Sequence, residues 1–253
     1  MADRRYSELL ASIDAPQKSR NGSLEEALAI ADGLERGRAL DAPCGPGRMV
    51  DALARLGFQS YAADRDAKSY CGQSPFCTLD LDRGLPYADS RFRFIYCGDG
   101  IEHLENPFAL LRELARILEE EGVLVVVTPN YSNIERRIQF LLTGSVAKPP
   151  RRVAHYDVSR PFDRGHINPL TLPRLAYMAE NAGLELVESR TLLARKGQRW
   201  LAPLALAVRA LSVLNKPQRK RDLFAQHSQS WSMLMGGKQL VAVFRKAPGF
   251  PQI

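Results

Sequence analysis

Residues 39–47 read Ala39-Leu40-Asp41-Ala42-Pro43-Cys44-Gly45-Pro46-Gly47. Ala39-Leu40 opens a buried strand that Asp41 ends, a proline- and glycine-rich turn follows, and Met49 to Leu56 continues as a helix stopped by Gly57. Glycines at such a turn let the backbone approach a ligand closely, and the helix start offers unpaired N–H groups. The same rhythm continues downstream. Tyr61-Ala62-Ala63 is a second strand ending at Asp64, Phe76 to Leu79 a third ending at Asp80, and Phe94 to Cys97 a fourth. Pro107 to Leu118 is an amphipathic helix ended by Gly122, and Val123 to Thr128 is an almost wholly apolar strand of the kind found mid-sheet. Upstream, residues 1–37 read as a polar lead-in and then a helix capped by Ser23. The alternation predicts an α/β, doubly wound (Rossmann-like) fold.

Three consecutive strands each end in an aspartate at the ligand-binding edge. Asp64 lies 19 residues after Gly45, a spacing that sets its carboxylate over the same crevice, where it can accept two hydrogen bonds from a ribose diol. A dinucleotide turn would carry G-x-G-x-x-G, with the helix start meeting a pyrophosphate. Here the turn has an acidic head and no third glycine. Asp41 would repel a pyrophosphate and suits a cationic amino group or a sulfonium, so a positively charged adenosine ligand is favoured.

The 253 residues are 45% hydrophobic and 25% charged, which excludes collagen-like, disulfide-scaffold and wholly disordered chains. The formal net charge of +7 is unevenly placed. Residues 1–130 hold 15 Lys+Arg against 21 Asp+Glu, whereas residues 191–253 hold 11 against 1. The start lacks the apolar core of a secretion signal, and Cys44, Cys71, Cys77 and Cys97 form no C-x-x-C pair. A cytoplasmic protein with reduced thiols is expected.

The chain resembles the class I S-adenosylmethionine-dependent methyltransferases, in the subgroup that includes quinone-ring and other small-molecule methylases. The matching segments are residues 40–47, Asp64, Leu79-Asp80-Leu81-Asp82 with Leu85-Pro86-Tyr87, Ile101-Glu102-His103-Leu104-Glu105-Asn106-Pro107, Thr128-Pro129-Asn130, and Gly165-His166 leading into residues 170–175 and 182–184. The chain is read as a single domain over 1–253. The resemblance covers most of residues 35–190 and the final strand and implies a seven-stranded sheet, mostly parallel, whose last strand is antiparallel. It implies S-adenosylmethionine as cofactor. Gly45 and Gly47 would pass close to its methionine part, with Asp41 near the amino group. Asp64 would bind the ribose hydroxyls, and Asp80 would face the adenine amino group with the Leu81 backbone beside it. Gly98 and Asp99 would line the methionine side. Two residues depart from the pattern: Pro43 stands at its first glycine, and Arg93 at an aspartate that is usually structural.

Methyl transfer from a sulfonium asks the protein mainly for alignment and exclusion of water, and for a base where the acceptor is a hydroxyl. His103 and His166 are the candidate catalytic residues, each with the alternative of orienting a loop. His155 and His227 read as surface residues. His155-x-Asp157 with His166 is too irregular for a metal set, and no metal is expected.

Residues 131–165 form a basic, loop-rich insertion after the fifth strand; Leu172 to Asn181 is a helix capped by Thr171 and stopped by Gly183; Leu184 to Leu193 and Leu240 to Arg245 are the last strands. Between those strands residues 194–239 are basic and partly apolar, with a fifteen-residue apolar run, Trp200 to Leu214, flanked by Arg195-Lys196 and by Lys216 and Arg219-Lys220-Arg221. Three roles stay open for this insertion. It could be a lid or dimer helix over the active site. It could be a helix in a membrane interface, giving peripheral contact through 195–221 at the inner face of a membrane and suiting a lipid-linked acceptor. Or it could be a nucleic-acid contact, disfavoured because stacking aromatics are sparse. The expected acceptor is a small or lipid-linked molecule methylated on a hydroxyl; the alternatives are an RNA methylase and a non-catalytic cofactor-binding protein.

Overall fold

The computed structural model describes residues 4–13, 22–147, 165–192, 196–247 and 249. Seven strands form one sheet: β1 (Arg38–Asp41), β2 (Gln59–Asp64), β3 (Phe76–Thr78), β4 (Phe92–Gly98), β5 (Leu118–Pro129), β6 (Leu184–Leu192) and β7 (Gln239–Lys246). Their order is β3-β2-β1-β4-β5-β7-β6. The pairs among β1 to β5 are parallel, and β7 runs antiparallel to both β5 and β6. The doubly wound sheet with its antiparallel last strand is as the sequence suggests. The strand order reverses between β1 and β4, so the crevice outside their carboxyl ends is where this architecture takes a ligand.

Side chains alternate across the sheet, and the two faces are covered separately. Leu40, Ile95, Leu124 and Val126 face α4 (Pro107–Ile117) and α6 (Leu172–Glu180), packing on Leu110, Leu114, Leu175 and Met178. Ala39, Phe94, Val123, Val125 and Val127 face α1 (Arg4–Ala11), α2 (Ser23–Asp32) and α3 (Arg48–Arg55), packing on Tyr6, Leu10, Leu28 and Leu53. Because β5 is buried on both faces, its run from Val123 to Val127 can be apolar without a break.

Several local expectations change. The polar lead-in contains α1, whose Tyr6 and Leu10 are buried against α2 and α3. Ser23 is not a cap: Gly22, with φ 69°, takes that position, and Ser23 is the buried first residue of α2. α4 stops at Ile117 rather than at Gly122, because Leu118 is already extended, fully buried and paired with Phe92. β3 ends at Thr78, so Asp80 lies two residues beyond the strand. Thr171 occupies the cap position of α6 without capping it; the Ser132 hydroxyl instead accepts from the Leu172 amide at 2.9 Å.

The insertion after β5 is not all loop. Ile134–Thr143 is a helix, α5, capped by Asn133, which accepts from the Arg136 amide, and closed by Gly144 at φ 69°. Residues 148–164, including His155 and Asp157, lie outside the described residues, as do Leu193 to Arg195. In the second insertion a 3₁₀ turn (Lys196–Leu201) leads into α7 (Ala202–Val213), followed by α8 (Pro217–Asp222), α9 (Ala225–Ser228) and α10 (Trp231–Leu234). Among the described residues no helix is long and apolar enough to cross a membrane.

Candidate active site

Asp41 closes β1 and is 1% exposed; the Val50 amide at the start of α3 is the one backbone donor beside its carboxylate, and neither oxygen makes a hydrogen bond of good geometry among the described residues. Burial, reinforced by the nearby Asp64 charge, pushes its pKa well above the usual carboxylate range. At the carboxyl end of a central strand, a buried carboxylate so sparsely held has capacity for a ligand's cationic donor. Beyond it the Ala42–Pro43 peptide is cis, and the Cys44 amide donates to the Ala63 carbonyl at 2.9 Å, tying the turn to β2.

The two turn glycines do different work. Gly45 sits at φ 50°, and a Cβ there would meet nothing within 4 Å, so that side of the turn is open. Gly47, at φ 94°, is crowded: a Cβ would lie 2.7 Å from the Tyr70 ring and 3.2 Å from the Gly72 backbone. Gly45 therefore borders free space, whereas Gly47 is required by the packing of Tyr70, a residue the sequence gives no reason to single out. Asp64 ends β2 and braces the turn, accepting from the Gly45 amide at 2.8 Å through one oxygen and from the Asp66 amide at 3.0 Å through the other.

Asp80 is already engaged. Its carboxylate pairs with Arg65 and lies 3.6 Å from Arg83, and these cations hold its pKa below the ordinary value against the opposing effect of burial. Leu81 turns its side chain into the core. Gly98 ends β4 with the Tyr96 ring folded beside it. Asp99, at φ 49°, is gripped by the Gln239 amide, which donates to both carboxylate oxygens at 2.9 and 3.1 Å, while burial raises its pKa.

Next to Asp99 a second group converges. Glu102 is 1% exposed, accepts from the Thr128 hydroxyl at 3.1 Å, and is pushed up to about 8 by burial. Its other oxygen lies 4.0 Å from His103 Nε2. His103 Nδ1 is 2.9 Å from the Gly165 carbonyl. A carbonyl can only accept, so this bond places a proton on Nδ1, and the neutral tautomer it selects has its lone pair on Nε2. The His166 ring packs edge-on against His103, centroids 4.9 Å apart, and His166 Nδ1 shares a 2.5 Å hydrogen bond with the Tyr131 hydroxyl. The two predicted histidines, 63 positions apart in sequence, are thus adjacent. Glu102, His103 and His166 bring their ligand atoms within 4.8 Å of one another. His227 is not a free surface residue: it is half-buried in α9, with Nδ1 3.1 Å from the Ser189 hydroxyl, and burial lowers its pKa.

Residues 9–189 match the family model described as a methyltransferase domain. The chain belongs to the methyltransferase domain family. Within that family it is 28% identical over 133 residues to a ubiquinone biosynthesis O-methyltransferase of Xanthomonas campestris, covering 46% of this chain and 54% of that protein. A probable S-adenosylmethionine-dependent methyltransferase of Mycobacterium tuberculosis is 26% identical over 187 residues, covering 68% and 66%. The chain spans about half the length of the first of these curated relatives. In fold it is similar to a SAM-dependent methyltransferase from Archaeoglobus fulgidus, with a TM-score of 0.55 and 16% identity over 88% of this chain and 91% of that one.

The methyltransferase-family site fits S-adenosylmethionine on its own geometry. The sparsely held Asp41 oxygens suit a cationic amino group, and the open side of Gly45 leaves room against the backbone. Two site residues escaped the sequence reading. Glu102 was visible only within the segment around His103, since the Thr128 hydroxyl that donates to it comes from β5, 26 positions away. Tyr131 follows the Thr128-Pro129-Asn130 segment directly, and its position beyond the end of β5, at the ligand-binding edge, is the signal that could have marked it.

Proposed function

We propose that this chain transfers a methyl group from S-adenosylmethionine to a hydroxyl of a small or lipid-linked acceptor. The observation that carries the reading is the buried, sparsely held Asp41 carboxylate beside the open face of Gly45. Asp41 would hold the donor's amino group and Asp64 its ribose hydroxyls. Gly45 and Gly47 would shape the wall along the methionine part, with Gly98 and Asp99 on the far side. Asp80 and the Leu81 backbone would border the adenine, with Asp80 reaching it only in company with Arg65. When bound, the donor supplies an electrophilic methyl on a sulfonium. The protein's share is to align the acceptor, exclude water and receive its proton. His103 Nε2, bearing a lone pair, would take that proton, and the Tyr131–His166 bond would fix the second ring.

Calorimetry should give Asp41→Asn an affinity for S-adenosylmethionine at least tenfold weaker than the parent, with the fold intact, since the change removes the carboxylate that would pair with the donor's ammonium. Methyl label from the donor should then pass, through the parent protein, into an alkali-stable ether in the lipid or small-metabolite fraction of cell extracts. Unchanged affinity sinks the donor assignment, and label confined to RNA or protein sinks the acceptor class.

A lipid-linked acceptor draws support from the surface. α7 buries Ala205 and leaves Leu206, Leu211 and Val213 largely exposed, with Trp200 and Leu214 exposed at its two ends. Arg219, Lys220 and Arg221 follow on α8, where no residue is buried. Apolar side chains beside unburied cations are the pattern of a helix resting on an anionic membrane surface.

A further inference from the structure

An apolar cavity of about 450 Å³ lies beyond the carboxyl end of β5, between α5, the start of α6 and the α8–α9 junction. That volume is in the range of small-molecule sites. Tyr131, the partner of His166, lines one part of it; Phe140, Pro173 and Leu223 are among its apolar walls. Arg137, from the second turn of α5, also lines it.

Arg137 is half-buried and has no carboxylate partner among the described residues. Its Nε donates to the Ser132 carbonyl at 2.9 Å, Nη1 to the Gln229 side-chain carbonyl at 3.1 Å, and Nη2 to the Ser228 carbonyl at 2.8 Å. All three acceptors are neutral. Of the five guanidinium N–H groups, one on each terminal nitrogen is left over among the described residues. Loss of solvent lowers the pKa of the group, and no acid compensates for it. A full positive charge is therefore held by fixed neutral acceptors in the wall of an apolar cavity whose other part touches Tyr131. A guanidinium so placed recognises an oxyanion, by a charge-assisted and often forked contact.

We propose that the cavity is the acceptor site, and that the acceptor is an apolar molecule carrying an oxyanion, a carboxylate or a phosphate, which Arg137 binds while its reacting hydroxyl lies toward Tyr131 and the histidines. This rests on the hydroxyl-methylation reading above and adds a substrate class to it. The apolar walls would hold the carbon skeleton, and Arg137 would fix which end enters.

The test uses the full chain with S-adenosylhomocysteine present, 3,4-dihydroxycinnamate as probe and its methyl ester as the uncharged match. The parent protein should bind the acid at least tenfold more tightly than the ester. Arg137→Gln should bind both at the ester's affinity, and Arg137→Lys should restore part of the preference. Unchanged ester affinity in the variants separates loss of charge from loss of fold. Competition by phenyl phosphate stronger than by benzoate would assign the oxyanion as phosphate, and the reverse as carboxylate. Equal binding of acid and ester by the parent, a preference that survives Arg137→Gln, or binding of neither probe overturns the proposal. Charge-selective binding without methylation would refute the hydroxyl-transfer reading and leave the anion site standing. Methylation without charge preference would do the opposite.

Discussion

Glu102 should make the protein lose stability as the solution turns alkaline. The carboxyl ordinarily titrates at 4.5 and is pushed up to about 8 in the fold. Burial is the first cause and the charge of Asp99 adds to it, while the Thr128 hydroxyl bond works the other way. His103 faces it at 4.0 Å, and the ionisable groups of Cys97 and Tyr131 also sense its charge. The raised value sets the sign. Between about pH 4.5 and 8 the native state keeps a proton that the unfolded chain has released, so stability falls with rising pH across that window and levels off above it. At 1.36 kcal/mol per pH unit the whole window amounts to about 5 kcal/mol, and pH 6 to 8 to roughly 2–3 kcal/mol. For a chain of this size that corresponds to roughly 5–10 °C in melting temperature. Asp41 and Asp99, also raised by burial, tilt the profile the same way, so the measured quantity is the difference from Glu102→Gln, which keeps an oxygen for Thr128. Calorimetric melting of both proteins from pH 5.5 to 9 should show a flatter profile for the variant, the two curves diverging as pH rises toward 8. Parallel curves would refute the buried, proton-holding carboxyl.

Pro43 and Gly100 should behave as a matched pair: a Cβ on Gly100 would stand 2.5 Å from Pro43 Cδ, although φ at Gly100 is −127°, which any residue tolerates. Gly100→Ala should cost about 1–3 kcal/mol alone and much less in a Pro43→Gly background, read by a denaturant double-mutant cycle; additive losses would dismiss the contact. Flotation with anionic phosphatidylserine vesicles should be strong for the intact chain and largely lost when residues 197–222 are deleted, with salt weakening it. Equal flotation of the two proteins would dismiss a membrane role for α7 and α8.

The β1–turn–α3 unit was legible because each of its parts has a local cause: an apolar strand, glycines that accept positive φ, and a helix with one apolar face. Asp41 and Asp64 were legible for the same reason, since each ends a strand whose period is visible. Asp80 was legible only as an acidic residue. Arg65, fifteen positions earlier, takes its carboxylate, and a pairing across two strand ends leaves no trace in spacing. α5 was readable but its stripe was passed over: Ile134, Ile138, Leu141 and Leu142 stand at helical spacing inside a basic stretch, although only Ile134 is buried. Its start and stop signals, Asn133 and Gly144, were also present. The meeting of His103 with His166 depends on Gly165 accepting from His103 and on Asn168 donating its amide to the Glu102 carbonyl, contacts that only the folded chain supplies.

The division of charge takes a different meaning from the geometry than from the totals. On the acidic side Asp41, Asp64, Asp99 and Glu102 gather at one sheet edge; burial first, and then the charge of Asp64 on Asp41 and of Asp99 on Glu102, raise the cost of ionising Asp41 and Glu102. A cation bound there would relieve that cost, which is the electrostatic support for placing a sulfonium and an ammonium at this edge. On the basic side the formal total is dominated by side chains such as those of α8, which are exposed, and their field is screened within about 8–10 Å at physiological salt. They can bias which surface the protein meets but not which molecule reaches the histidines. Arg137 belongs to neither group in the sequence totals. Half-buried, unpaired with any described acid and set in an apolar wall, it has a field less screened than those of the unburied cations of α8. Selectivity for the acceptor should therefore follow that single side chain, whereas attraction to a surface should follow the sum.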